Sequence, residues 1–162
     1  MPKLMLIVSC VCVVGSGRVS AQSVGEFTLS AGMAQGVETG GPGSRVALVS
    51  SFSFVKSRFS FGPELLYAAG TPHVIGVAGV VRVRVGGGKY LVGSLGGNSW
   101  RWPQFVNANL LSGSIGAGMT FGAGSSRDRF MVELRYNDNL QNYAGLESWG
   151  FLTAQAGIRF GW

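Results

Sequence analysis

Phe151-Leu152-Thr153-Ala154-Gln155-Ala156-Gly157-Ile158-Arg159-Phe160-Gly161-Trp162 is the stretch on which the reading of the fold turns. Leu152, Ala154, Ala156, Ile158, Phe160 and Trp162 are apolar, while Thr153, Gln155, Gly157, Arg159 and Gly161 between them are small, polar or charged. A repeat of two means an extended chain with one greasy face, because successive side chains of a β-strand point to opposite sides. The sequence then stops on a tryptophan, with no polar capping segment after it. Such a strand needs partners, and the preceding sequence supplies them.

Residues 129–136 set Phe130, Val132, Leu134 and Tyr136 against Arg129, Met131, Glu133 and Arg135. Residues 110–122 set Leu111, Ile115, Ala117, Met119 and Phe121 against Ser112, Ser114, Gly116, Gly118 and Thr120. Residues 89–95 form another strand whose facing stays open, since Tyr90 and Val92 compete with Leu91 and Leu95. In 73–85, Ile75, Val77, Val81 and Val83 oppose Gly76, Ala78, Arg82 and Arg84. Residues 45–55 and 58–68 alternate in the same way on either side of Lys56-Ser57, which marks a hairpin. Residues 24–34, with Phe27, Leu29, Ala31 and Met33 on one face, complete the set.

The total is about eight strands. Pro63 lacks a ladder donor, so an irregularity at Gly62-Pro63 or a split strand is expected there. Short turns (56–57, 86–88, 124–128) alternate with long loops (35–44, 96–109, 137–149), apart from the short link at 70–72. No helical period and no solenoid repeat is present.

Charged residues make up only 12% of the 162, apolar residues 46%, and there are 27 glycines, which is unusual for a soluble globule. No run approaches the roughly 18 uninterrupted apolar residues of a membrane helix. Residues 1–21 have the form of a signal peptide: Lys3, an apolar core over 4–14, and Val19-Ser20-Ala21 before Gln22. The mature domain is then 22–162. Cys10 as a lipid-anchored residue fits poorly, because too little apolar core precedes it. Both cysteines, Cys10 and Cys12, leave with this segment, so no disulfide or cysteine metal site is expected. Losing Lys3 and Arg18 lowers the formal charge from +6 to +4. The remaining charges are scattered, unlike the basic patch of a nucleic-acid binder.

The parity of the charges is informative. Glu26, Arg45, Arg58, Glu64, Arg82, Arg84, Arg129, Glu133, Arg135 and Arg159 all fall on the less apolar faces. An Arg facing lipid at mid-membrane costs about 2–4 kcal/mol, so this sorting suits a transmembrane barrel with charges inside. A soluble up-and-down barrel would show the same parity turned inside out. Against it, the polar faces hold mostly Gly, Ser, Ala and Thr, which suit a narrow lumen better than a solvated exterior.

With its terminal aromatic strand, with Phe59-Ser-Phe-Gly-Pro-Glu-Leu-Leu-Tyr-Ala-Ala-Gly70 and with Glu133-Leu-Arg-Tyr136, the chain resembles the outer-membrane-protein β-barrel domain family, small porin-like bacterial barrels. The resemblance spans nearly all of 22–162. It implies an all-β, transmembrane, antiparallel up-and-down barrel of about eight strands in the cell outer membrane. It also implies outer-membrane lipid and the barrel-insertion machinery as partners, with Ile158, Phe160 and Trp162 as the assembly signal. That family shares no catalytic residues.

The candidate sites follow from these faces. Glu26, Arg58, Glu64, Arg82, Arg84, Arg129, Glu133, Arg135 and Arg159 are expected to form a lumen charge network. Glu64, Glu133 and Arg135 belong near mid-lumen, and the remaining arginines in the periplasmic half. An ion-paired filling is the expected role, since eight strands leave an interior just wide enough for side chains; a gated or anion-attracting lumen is the alternative. Trp100, Trp102, Phe105, Tyr143 and Trp149 are expected in or beside the external loops, as a girdle or as a sticky surface for an unknown ligand.

His73 is the sole histidine and so the one obvious general base. It is followed by Val74-Ile75, not by the His-x-Ser of a lipid-editing barrel deacylase, and a solvated loop position explains it. The glycine-rich runs at 113–118 and 88–90 lack the helix and the spacing of phosphate loops. No enzyme activity, cofactor or metal is expected. The function expected is structural or surface-interacting, with a narrow solute channel as the alternative and a lipid-modifying enzyme as the third.

Overall fold

A computed structural model describes residues 24–37, 43–101, 108–122, 128–141 and 150–161. Eight strands form: β1 (Val24–Gly36), β2 (Arg45–Lys56), β3 (Phe59–Ala68), β4 (His73–Gly86), β5 (Lys89–Arg101), β6 (Ala108–Phe121), β7 (Arg129–Asn139) and β8 (Phe151–Gly161). Each pairs antiparallel with its sequence neighbour, and β1 pairs with β8 to close the barrel. Closure leaves no unpaired strand edge, the condition for carrying backbone polar groups across lipid. No helix among the described residues is long and apolar enough to cross a membrane.

The opening stretch settles the alternation in space. Along β8, Phe151, Thr153, Gln155 and Arg159 are buried, while Leu152, Ala154, Ala156, Ile158 and Phe160 are exposed. The same inversion runs around the wall: Ile115 is 70% exposed and Phe130 68%, whereas Glu133, Arg135 and Arg82 are each 3% exposed. Apolar side chains point out and charges point in, so the parity that suited two kinds of barrel belongs to the membrane kind. In water this belt would form an apolar patch far larger than soluble proteins tolerate.

Pro63 does not split β3. The ladder to β4 runs unbroken through the Pro63–Gly79 pair, while the ladder to β2 passes from Ser51–Glu64 to Phe54–Phe61 with no change of register. The two pairs opposite Gly62 and Pro63 are simply missing, the local irregularity a residue without an N–H produces. The β4–β5 turn uses three glycines at positive φ, and a Cβ on Gly88 would meet the Thr120 carbonyl oxygen at 2.6 Å. A side chain there would be both strained and blocked.

The open question of β5 is also answered. Tyr90 and Val92 face the lumen, while Leu91 and Leu95 are 55% and 59% exposed. The reason lies on the next strand. Tyr90 is paired across the sheet with Gly118, and a Cβ on Gly118 would strike the Tyr90 ring and hydroxyl. Gly76 opposite Asn98 and Gly116 opposite Arg135 repeat the device. Many glycines of the polar faces are thus the space into which large lumen side chains fit.

Candidate functional site

At mid-lumen, four buried charges meet, two from the adjacent strands β3 and β4 and two from β7 across the barrel. Arg135 of β7 donates to both carboxylate oxygens of Glu64 on β3, at 2.6 and 2.8 Å, the bidentate geometry that a planar guanidinium favours. Its Nε donates to Glu133, two residues away on the same inward face. Arg82 of β4 lies 3.4 Å from Glu64 and 3.4 Å from Glu133, and donates to Ser51 Oγ at 3.3 Å. Gln155 of β8 donates to Glu133 at 2.5 Å and accepts from Ser30 at 3.0 Å. Two arginines balance two glutamates, so the network is neutral and the charges of Glu64 and Glu133 are paired on every side. Burial of this kind persists only when each charge has its partner.

Toward the short turns a second group forms. Arg84 binds Glu26 at 2.6 Å, Arg159 lies 3.9 Å from the same carboxylate, and the Arg159 guanidinium stacks over Tyr90 at 4.8 Å. Toward the long loops the lumen turns apolar. Trp100 packs edge-on to Phe151 at 6.3 Å, surrounded by Ala34, Ala47, Ala68, Val74, Ala108 and Leu110. Arg45 lies over the Trp100 ring at 5.7 Å and donates to the Pro72 carbonyl at 2.8 Å. The interior is therefore filled in layers: apolar, ionic, then mixed.

Of the sequence candidates, Glu26, Glu64, Arg82, Arg84, Glu133, Arg135 and Arg159 line the lumen in these two groups. Arg58 and Arg129 do not join them. Arg58 sits in the β2–β3 turn and Arg129 begins β7 at the rim, and both are exposed. Parity gave their side but not their depth. Trp100 also departs from the reading: it lies within β5, which runs on to Arg101, and is 1% exposed inside the barrel. Three further lumen residues are not among the candidates for the charge network: Gln155, Tyr90 and Arg45, the last of which the parity of the charges already puts on the polar side. The long polar side chain of each, at an inward position facing small residues, was the available signal.

Ile158 and Phe160 lie on the outward face of β8, 37% and 38% exposed. Trp162, Trp102, Phe105, Tyr143 and Trp149 fall outside the described residues. His73 opens β4 opposite Arg101, half-buried. No group of histidine, cysteine or acidic residues among the described residues could hold a metal ion.

No family model and no curated protein matches this sequence. Solved structures do. The N-terminal β-barrel domain of OprF from Pseudomonas aeruginosa matches with a TM-score of 0.66 at 12% identity, over 87% of this chain and 100% of that one. Neisserial surface protein A matches with a TM-score of 0.65 at 13% identity, over 84% of this chain and 96% of that one. The fold is that of a small outer-membrane β-barrel. Ail, the attachment invasion locus protein of Yersinia pestis, shares it at a TM-score of 0.55 and 17% identity, over 84% of this chain and 99% of that one. Among these barrels the conserved quantity is architecture, since the identities are too low to carry residues across.

Proposed function

We propose that this protein is a closed barrel of the bacterial outer membrane, without catalytic activity, that acts structurally or through its external loops. The observation that carries the reading is the filled lumen: among the described residues the Trp100–Phe151 plug and the Glu64–Arg82–Glu133–Arg135 layer lie one behind the other across it. A narrow porin-like channel would need both layers to open. Two structural neighbours, a surface protein and an attachment invasion protein, support an outward-facing role.

Short turns on the periplasmic side and longer loops outside are the rule for such barrels, and by that rule we assign the sequence loops holding Trp102, Phe105, Tyr143 and Trp149 to the cell surface. There Trp102, Phe105, Tyr143 and Trp149 offer either a girdle or a binding surface. Export is assigned to residues 1–21, and recognition by the insertion machinery to the closing strand with Ile158, Phe160 and Trp162.

Liposome swelling tests the closed lumen: vesicles carrying the folded protein should swell in small sugars no faster than empty ones, and fast swelling would restore the channel reading. N-terminal sequencing of the exported protein should begin at Gln22. Deleting Trp162 should reduce the folded fraction in the membrane several-fold while leaving the folded remainder intact. Replacing Trp102 and Trp149 together should abolish binding to cultured host cells while the heat-dependent gel shift of a folded barrel is retained, and undiminished binding would leave these residues a membrane girdle. Lipid A mass spectra should be the same with and without His73→Ala.

A further inference from the structure

The two ends of the outer wall differ in chemistry. Every outward phenylalanine among the described residues lies toward the short turns, including Phe59, Phe61, Phe121, Phe130 and Phe160, whose exposures run from 38% to 68%. The outward aromatics described near the long loops are instead Tyr67 and Tyr136. Just beyond the phenylalanine band stand four exposed cations: Lys56 at the end of β2, Arg58 in the turn, Lys89 at the start of β5 and Arg129 at the start of β7. Lys56 and Lys89 share the parity of the lipid-facing residues Phe54 and Leu91, so they project beside the wall and not over the lumen. Glu26, the inward acid at this end, pairs with Arg84 and Arg159 and with none of the four.

The acids at this end do not balance them. Glu26 is bound by Arg84 at 2.6 Å and approached by Arg159 at 3.9 Å, which leaves Asp128 as the one other carboxylate described there. Arg129 is moreover paired directly across the sheet with Arg159. Like charges directly opposite one another are destabilising, and Glu26 answers Arg159 but not Arg129. A band of aromatic side chains at the hydrocarbon boundary fixes the height of the wall, and long cationic side chains one step beyond it reach the headgroup layer.

We propose that the short-turn end binds the headgroups of anionic glycerophospholipids, Lys56 and Lys89 holding phosphates beside the wall and Arg58 and Arg129 holding them at the rim. With the short turns facing the periplasm, these lipids belong to the inner leaflet. The opposite end lacks such a set among the described residues: Arg45 is turned inward onto Trp100, and Arg101 is the one exposed cation.

The test is lipid selectivity in symmetric vesicles, which does not depend on insertion direction or on any surface role. The folded barrel is placed in phosphatidylcholine with a trace of spin-labelled phosphatidylglycerol or spin-labelled phosphatidylcholine, and the motionally restricted fraction of each is measured by electron spin resonance. A basic side chain near a membrane surface attracts anionic lipid by a factor of about 5, so phosphatidylglycerol should be preferred about 5-fold at low salt. The preference should fall toward unity at about 0.5 M salt, where the screening length is about 4 Å.

The combined variant Lys56→Gln, Arg58→Gln, Lys89→Gln, Arg129→Gln should abolish the preference, and Arg101→Gln should leave it. No preference in the wild type, a preference indifferent to salt, its survival in the combined variant, or its loss in Arg101→Gln would each overturn the proposal. If the combined variant fails the heat-dependent gel shift, the salt series on the wild type and the Lys56→Gln, Lys89→Gln pair decide.

Discussion

At its long-loop end the lumen is occupied by Trp100 set edge-on to Phe151 at 6.3 Å among alanines, whereas at mid-height it is occupied by Glu64, Arg82, Glu133 and Arg135 bound to one another. Both layers fill the lumen with side chains, but they fail differently. An apolar plug loses contacts in proportion to what is trimmed from it, and salt does not weaken it. An ionic layer cannot lose one member cheaply, because the partners left behind remain charged and buried. The outer layer is therefore the tolerant closure and the inner one the brittle closure.

The comparison breaks most readily at Glu133, which touches Arg135, Arg82 and Gln155 at once. Glu133→Leu leaves Arg82 and Arg135 to share Glu64 with one buried positive charge uncompensated, and should lower unfolding stability by about 4 kcal/mol, read from urea titrations in detergent micelles. Trp100→Ala should cost about 3 kcal/mol in the same titration, with no dependence of the loss on salt. A salt-dependent loss there would mean that Arg45, 5.7 Å from the ring, matters more than the plug.

Gly118→Val comes next: it forces a branched side chain into the space of the Tyr90 ring and should cost about 2 kcal/mol. The smallest effect belongs to Arg58, which the structure places in a turn outside the network. Arg58→Gln should change stability by less than about 0.5 kcal/mol, and a loss approaching that of Glu133→Leu would show that the ionic layer extends to the rim.

Most of the architecture was legible because a period of two is a local signal, repeated eight times and punctuated by glycine turns. The side of each charge was legible for the same reason. Depth was not. Arg82 and Arg58 both lie on the polar parity, yet one is 3% exposed in the lumen and the other is exposed in a turn. Trp100 was misplaced because Asn98-Ser99-Trp100-Arg101 looks like a loop once its alternation turns polar, while the strand in fact continues past the apolar belt. The facing of β5 was hidden because both its faces carry apolar residues. It is fixed by Gly118 on the neighbouring strand, which alone leaves room for Tyr90. Pro63 was legible as a disturbance but not as one confined to the β2 side.

The most direct test of a closed lumen is current recording across a planar bilayer holding the wild-type barrel and Glu133→Leu. Neither should show stepwise conductance, since the variant keeps the Trp100–Phe151 plug intact. Steady open-channel steps in the wild type would contradict the filled lumen and make the protein a channel.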